Sequence, residues 1–112
     1  MPADTNPAGD IFGGWLMSQM DIASSITAGV RARGRVATVA VTGLTFHKPI
    51  RVGDVVCCYA DIQRIGTTSM TILVEAWVLH RSEPERRVKV TEGKFTFVAL
   101  NEEGEKRPIP HA

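Results

Sequence analysis

Residues 4–15 read DTNPAGDIFGGW, and this stretch is the most informative in the sequence because it places an acid, an amide and a glycine pair immediately ahead of an amphipathic helix. Gly13 and Gly14 lack the side chains that would hold a ligand away from the backbone. The first N–H groups of a helix are unpaired and lie at the positive end of its dipole, so they can polarise a carbonyl oxygen. Asp10 stands just upstream, where its carboxylate could serve as a base or a nucleophile. The alternative is that Asp10 only caps the helix or forms an Asx turn.

The spacing of apolar residues predicts one long helix from residue 12 to about residue 30. The apolar arc expected to face the core contains Phe12, Trp15, Leu16, Met20, Ile22, Ala23, Ile26 and Val30. The opposite side is nearly all small, with Ser18, Asp21, Ser24, Ser25 and Ala28. A solvated face would usually carry Lys, Glu and Arg, so we expect a second partner to pack on this small side and the chain to be an obligate oligomer. Gly29 and Gly34 are the expected stop signals.

After Gly34 the chain reads as four strands, at residues 35–46, 55–65, 69–80 and 88–100. Gly53-Asp54 and Gly66 supply turns, and the charged stretch 81–87 is expected to connect the last two strands. One helix followed by an antiparallel meander predicts an α+β fold whose curved sheet wraps the helix. The tail from residue 101 onward is expected to be loosely held.

Length and charge limit the partners that this chain can have. A chain of 112 residues supports one domain, residues 1–112. A net charge of +1 and a pI near 7.8 give no strong field, so neither nucleic acid nor a membrane surface is favoured as a partner. No apolar run approaches the roughly 20 residues that span a bilayer, so no stable membrane insertion is expected. With no signal segment at the start, a cytoplasmic location follows by default.

Cysteine and metal chemistry are not expected. Cys57 and Cys58 are adjacent in a predicted strand, so their side chains should face opposite ways and cannot pair with each other. We interpret them as reduced packing residues. No cluster of His, Cys and carboxylate residues has metal-ligand spacing. His47, His80 and His111 have no Ser or Cys nucleophile in a recognisable arrangement, which disfavours a Ser-His-Asp hydrolase.

Several blocks of the sequence together resemble the YciA-like acyl-CoA thioesterases of the hotdog thioesterase superfamily. They are residues 6–21 (NPAGDIFGGWLMSQMD), 34–36, 45–49, 52–59 (VGDVVCCY), 66–69 and 91–95. The resemblance implies a hotdog fold, cleavage of acyl-CoA thioesters by water, a site shared between two subunits, and dimers that assemble into hexamers. It implies no cofactor, since CoA is part of the substrate and product.

The chain departs from this family pattern at two places. It opens directly at the motif, whereas family members have a further strand before it. Either the given chain is only the ordered or retained part, or that edge of the sheet is altered. His47 and Lys48 stand where an aliphatic residue and an Arg are expected, which affects no catalytic assignment.

The resemblance also suggests substrate-binding residues. Gly66, Thr67, Thr68 and Ser69 form a strand-to-strand turn that could expose backbone groups to pantetheine, with Thr68 or Ser69 orienting the attacking water; a plain hairpin turn is the alternative. Asn6 could bind the thioester or hold its own loop. The CoA phosphates could be bound from the basic set Arg31, Arg33, Arg35, Lys106 and Arg107, among which Arg35 ranks first. Glu75 and Glu92 are secondary acid candidates.

Two other functions compete with thioester hydrolysis. A non-catalytic acyl-CoA sensor could use the same cleft, but a binder gains nothing from an acid beside a thioester. A hotdog hydratase or dehydratase generally pairs a His with an acid near the helix, and no His precedes His47. In the favoured mechanism Asp10 acts as general base or nucleophile, and the N–H of Gly13 or Gly14 stabilises the oxyanion.

Overall fold

The described part of the chain forms one long helix and one four-stranded sheet. The structure, a computed structural model, describes residues 9–48, 50, 53–80 and 83–111. Its elements are helix α1 (Gly9–Ala32) and strands β1 (Val36–Phe46), β2 (Val55–Ile65), β3 (Ser69–His80) and β4 (Glu83–Ala99). All neighbouring strands are antiparallel, in the order β1-β4-β3-β2, so β1 and β2 are the edges. The expected α+β fold is confirmed.

Strand β4 begins earlier than expected. The charged stretch 81–87 was predicted to be a connection, but β4 starts at Glu83, which pairs with His80, while Arg87 pairs with Leu79. The guanidinium of Arg87 lies 5.6 Å from the ring centroid of Tyr59 and 5.7 Å from that of Trp77. These cation–π contacts hold Arg87 on the solvated face of the sheet, so charged residues can continue strand β4. The amino-acid composition of the stretch does not predict such contacts.

The core lies between α1 and one face of the sheet. Alternate residues of β3 are buried there, namely Met70, Ile72, Val74, Ala76 and Val78. They meet Phe95 and Phe97 of β4 and Leu16 and Met20 of α1. The period of two in β3 thus separates a buried face from a half-buried outer face, as strand geometry requires.

The helix rests on the sheet along a face that matches the predicted one only at Leu16 and Met20, which are buried as expected. The buried positions recur every four residues: Leu16, Met20, Ser24, Ala28 and Ala32. Ser24 and Ala28, expected on the far side, therefore lie in the core. The hydroxyl of Ser24 donates to the Met20 carbonyl at 2.7 Å, which satisfies it there. Trp15, Ile22, Ile26 and Val30, expected in the core, are exposed. Small residues let a helix approach a sheet closely, and hydrophobicity alone does not indicate which of two faces does so.

The helix ends in a hydrogen-bonded turn that uses Arg33 where glycine is usual. Arg33 has a φ of 57°. Its N–H donates to the Val30 carbonyl at 3.3 Å, and the N–H of Gly34 donates to the Gly29 carbonyl at 3.2 Å. This is the Schellman pattern, which satisfies the last carbonyls of a helix.

The tail after β4 packs against this helix end, although we expected it to be loosely held. The Arg107 side chain donates to the carbonyls of Ala32 and Leu100, both at 2.9 Å. A Cβ on Gly34 would lie 2.7 Å from Nη2 of Arg107, so the glycine makes room for the guanidinium. Ile109 is buried. The hydrogen bonds of Arg107 and the burial of Ile109 thus hold the tail in place, although the sequence of the tail has no periodic pattern.

Candidate active site

The start of α1 lies three residues before the predicted one. The helix begins at Gly9, so the backbone of Asp10 belongs to its first turn. Asn6 lies outside the described residues, and so does the side chain of Asp10. The N–H groups that a helix leaves unpaired are its first four, here those of residues 9–12. The predicted oxyanion donors Gly13 and Gly14 stand in the second turn, where the carbonyls of residues 9 and 10 compete for their N–H groups.

Space is open beside the glycine pair. A Cβ on Gly14 would meet no heavy atom of the described chain within 4 Å, and Gly14 is exposed. A Cβ on Gly13 would lie 4.0 Å from Cζ of Phe46, an ordinary contact. Phe46 is the last residue of β1, so the far end of this edge strand lies next to the helix start. A ligand can therefore approach the helix backbone at Gly14 without displacing any described atom.

The turn between β2 and β3 is held by two backbone bonds from other parts of the chain. Within it the N–H of Gly66 donates to the Ser69 carbonyl at 2.7 Å. The carbonyl of Thr68 accepts from the Ala99 N–H at 2.9 Å, and that of Thr67 accepts from the Ile109 N–H at 2.8 Å. The tail and β4 therefore fix the shape of this turn, while Gly66 and Thr67 remain exposed.

The basic candidates divide into two groups. Arg31 donates to the Pro110 carbonyl at 2.6 Å, and Arg107 is occupied at the helix end. Both therefore serve the packing of the tail. Arg33, Arg35 and Lys106 are exposed. The Arg35 guanidinium makes one long contact, 3.4 Å to the Glu102 carbonyl, which leaves most of its five donors for a phosphate.

The glycine pair and the turn are far apart in one chain. Ser69 pairs with Val98 of β4, and Val98 pairs with Ala37 at the start of β1, directly after the helix end. The turn therefore belongs to the end of the molecule where α1 finishes. From Gly14 to Ala32 a helix rises by about 27 Å. A single chain does not bring the two candidate halves of the site together.

The secondary acid candidates form an ionic cluster on the other face of the sheet. Glu75 and Glu92 are direct cross-strand partners, and Glu75 alternates with buried residues of β3. The Lys89 ammonium lies 3.0 Å from Glu92 Oε1 and 3.5 Å from Glu75 Oε2. Its hydrogen bond and charge lower the pKa of Glu92, while the Glu92 hydrogen bond raises the pKa of Lys89. Both acids point away from α1 and cannot join the glycine pair.

Sequence reasoning missed a further part of this cluster and one other pair. His47 Nε2 lies 3.7 Å from Glu92 Oε2, and His80 Nδ1 lies 3.0 Å from Asp54 Oδ1. These two pairs could have been predicted only from the cross-strand register, and the register is known only once the strand order is known. Among the described residues no group of three or more His, Cys, Asp or Glu could hold a metal ion.

The two cysteines lie on opposite faces of β2, as predicted. Cys57 pairs with Trp77 and Cys58 with buried Ala76, and both thiols are free. Burial raises the pKa of Cys58, with a smaller effect from Cys57. Cys58 is therefore a protonated packing residue beside the core.

The comparisons with known proteins agree on one family. The model of the thioesterase superfamily matches residues 8–85. The acyl-CoA thioester hydrolase YciA of Salmonella typhimurium is 57% identical over 112 residues, which are 98% of this chain and 84% of that protein. The hexameric thioesterase y2039 from Yersinia pestis superposes with a TM-score of 0.88 at 54% identity, covering 100% of this chain and 90% of that one. HI0827, a hexameric broad specificity acyl-coenzyme A thioesterase, gives 0.85 at 51% identity over 99% and 76%.

In the part of the chain that the structure describes, no helix is both long and apolar enough to cross a bilayer.

Proposed function

The chain belongs to the thioesterase superfamily and is an acyl-CoA thioester hydrolase, and we propose that two subunits build its active site together. The observation that carries this proposal is the separation within one chain. Gly14 stands near the start of α1 and the turn of residues 66–69 lies at the end of the molecule where α1 finishes, and about 27 Å of helix separates Gly14 from Ala32. A thioester and the pantetheine attached to it can use both only if a second copy supplies one of them.

Pairing of two copies through the β1 edge brings the halves together. Among the described strands β1 has a neighbour only on its β4 side, so its other edge presents backbone groups that can pair with another strand. Antiparallel pairing about a two-fold axis near the middle of β1 sets the Val36 end of one copy beside the Phe46 end of the other. Three strand spacings then separate Ser69 from the second copy's β1, which is about 14 Å. An extended ligand can span that distance.

The helix face toward this edge fits a close neighbour. Asp21 accepts a hydrogen bond from the Thr38 hydroxyl at 2.7 Å, so this side of α1 leans toward β1. Ser18 and Ser25 lie one turn before and after Asp21 on the same side. Small side chains at these positions allow the helix of a second copy to approach. This agrees with the prediction that a partner packs on the side of α1 with small residues.

The chemistry follows from an acid and polarised backbone at the helix start. As general base, Asp10 takes a proton from water while the water oxygen attacks the thioester carbon. As nucleophile, Asp10 attacks that carbon itself, and water then hydrolyses the mixed anhydride. In both routes the C–S bond breaks and the thiolate of CoA takes up a proton. Helix N–H groups at or near Gly13 and Gly14 would stabilise the developing oxyanion.

The remaining residues bind and orient the substrate in this proposal. Asn6 contacts the thioester, and the backbone of Gly66 and Thr67 contacts the pantetheine amides. Thr68 or Ser69 of the second copy orients the attacking water.

The proposal also covers phosphate binding, cofactors, assembly and cellular location. Arg35 attracts the CoA phosphates through charge-assisted hydrogen bonds. The enzyme needs no cofactor or metal, and its assembly is a trimer of dimers, a proposal supported by the relatives y2039 and HI0827, which are hexameric. Free thiols at Cys57 and Cys58 fit a cytoplasmic location.

Complementation between two inactive variants tests the shared site. Asp10→Asn removes the base, and the double variant Thr68→Ala with Ser69→Ala removes the turn hydroxyls. Each alone should release little thiol from a panel of acyl-CoAs of different chain lengths. Mixed by unfolding and refolding at equal amounts, half the dimers contain one of each, and one of their two sites is intact. Activity should return to about a quarter of the unsubstituted value. No recovery in mixed dimers verified by native mass spectrometry would place the whole site in one chain.

A further inference from the structure

Phe46 is a large apolar residue that stands half-exposed beside the start of the helix. Its exposed fraction is 51%. It pairs with Thr91 of β4, which is buried in the core, and directly paired residues lie on the same face of a sheet, so Phe46 faces the side that carries α1. A Cβ on Gly13 would lie 4.0 Å from Cζ of Phe46, so the tip of the ring reaches the second turn of the helix. Phe46 is therefore an exposed aromatic ring next to the proposed thioester site.

An extra residue in β1 turns Phe46 toward the helix. Residues 43–44 of β1 lie opposite Gly93 alone, because the register against β4 shifts by one there. Gly43 has a φ of 64°, the left-handed conformation of a bulge glycine, and a Cβ on Gly93 would lie 2.9 Å from Cδ1 of Leu44. Side chains alternate between the two faces of a strand, so one extra residue moves every later side chain to the opposite face. Without this bulge Phe46 would point away from α1.

Hydrogen bonds on both sides of Phe46 fix its backbone. The Thr91 hydroxyl donates to the Thr45 carbonyl, and the N–H of His47 donates to the Val90 carbonyl at 2.6 Å. A Phe side chain has only two rotatable bonds, so its ring loses little conformational entropy when it contacts a ligand. The bulge and these bonds therefore hold an apolar surface in place at the helix start before a ligand arrives.

The two arms of a thioester would leave the glycine pair on different sides of the helix. Successive residues of a helix are rotated by about 100°, so Gly13 and Gly14 face different directions. A Cβ on Gly14 would meet no heavy atom of the described chain within 4 Å, whereas Gly13 faces Phe46. In the proposed site the polar pantetheine arm runs from the open side at Gly14 toward the second copy, and the acyl arm is left on the Gly13 side. Resting on that proposed site, we infer that Phe46 contacts the first carbons of the acyl chain and sets the preference for longer acyl groups.

Phe46→Ala should reduce the preference for butyryl-CoA over acetyl-CoA. The two substrates differ by two methylene groups, and each fully buried methylene strengthens binding about fourfold. Removal of the ring uncovers about half of their surface, so the ratio of kcat/KM for butyryl-CoA to that for acetyl-CoA should fall about fourfold. Phe46→Leu keeps an apolar side chain on the same face and should retain most of the ratio.

The matched control is Tyr59→Ala. Tyr59 is also a half-exposed aromatic residue, at 45%, but it lies on β2 and contacts Arg87. It pairs with Glu75, which points away from α1, so its ring lies on the other face of the sheet. The ratio of the two kcat/KM values should be unchanged in Tyr59→Ala. Light scattering on every variant establishes whether the mass of the assembly is the same.

The outcomes separate the acyl chain from other contacts of the ring. A folded Phe46→Ala enzyme that keeps the unsubstituted ratio overturns the inference. An equal loss of kcat/KM with both substrates would then assign the ring to pantetheine, and a lower mass at constant ratio would assign it to a subunit contact.

If Phe46→Ala does not fold, hydroxyl-radical footprinting of the unsubstituted chain decides. The probe is S-hexyl-CoA, a thioether that has no carbonyl to be hydrolysed. It should slow the oxidation of Phe46 severalfold more than free CoA does, because only the thioether carries an alkyl chain. Equal oxidation of Phe46 with the two ligands overturns the inference.

Failure of this inference can be told apart from failure of the proposed function. Phe46 and Gly13 belong to the same chain, so a failed complementation between subunits would refute the shared site and leave the predicted fall of the ratio in place. An unchanged ratio together with successful complementation would overturn the role of Phe46 alone.

Discussion

Gly14→Ala should stabilise the chain and at the same time slow hydrolysis. Inside a helix glycine is about 0.5–1 kcal/mol less favourable than alanine. The added Cβ meets no described heavy atom within 4 Å, so no steric cost within the chain reduces that gain. The entropy of unfolding scales with length, at about 2.1 cal/mol/K per residue. For 112 residues 1 kcal/mol then corresponds to about 4 °C, so Tm should rise by about 2–4 °C.

The effect on catalysis should have the opposite sign. In the proposed mechanism the thioester carbonyl approaches the helix backbone at the glycine pair, and the new methyl group fills that approach. We expect kcat/KM for acyl-CoA to fall about tenfold or more, a loss of roughly 1.4 kcal/mol of transition-state stabilisation. Gly14→Val, with a larger side chain, should lose nearly all turnover.

Gly29→Ala is the matched control. It places the same methyl group in the same helix, 3.5 Å from the Gly34 carbonyl oxygen, which is an ordinary contact far from the helix start. Its Tm should also rise while thiol release stays unchanged, both variants being melted at one protomer concentration because assembly affects Tm. A fully active Gly14→Ala enzyme with a raised Tm would refute the view that this glycine is kept for the substrate.

Three further outcomes are expected. Asp10→Asn should lower kcat about a hundredfold while acyl-CoA binding, measured by calorimetry, is largely retained, and unchanged turnover would remove Asp10 from the mechanism. Arg33→Gly should raise the free energy of unfolding in urea by about 0.5–1 kcal/mol, because it relieves a left-handed non-glycine residue; a loss of stability would contradict this. Lys89→Met should raise the pKa of Glu92 toward its ordinary 4.5 in a carboxyl NMR titration. Since the pKa of Glu92 is lowered in the fold, its stabilising effect is present above the unfolded pKa and lost as pH falls through the folded one, and this acid dependence should weaken in the variant.

Strand positions could be read from the sequence because turns and period-two patterns are local properties. Strands β2 and β3 begin and end at the predicted residues. The pattern of β1 is harder to interpret, since register shifts between Thr38 and Ala40 and between Thr42 and Thr45 interrupt the alternation. A bulge adds a residue to one strand only, and a single sequence does not reveal its partner.

The faces of α1 could not be assigned from hydrophobicity. Both the side toward the sheet and the side away from it are apolar, and the sheet takes the narrower one, with Ser24 and Ala28. Burial depends on what packs against the helix, and in an oligomer that includes other chains. The candidate site is limited in the same way: the sequence predicts its two parts, the motif at residues 6–21 and the turn at 66–69, but the distance between Gly14 and the turn follows only from the fold.

Arg107 and Ile109 also affect the order in which the site can form. They fix the end of α1 and the turn of residues 66–69, but they are synthesised after α1 and after both strands that flank this turn. Contacts of such long sequence separation form late, because a large loop must close first. A nascent chain that has reached only residue 100 already contains α1 and all four strands, but the turn that is proposed to receive pantetheine still lacks its second anchor. On the proposal that this turn receives pantetheine, we expect substrate binding to require residues 107–109 as well as a second copy, and we expect a cut before Arg107 to weaken it.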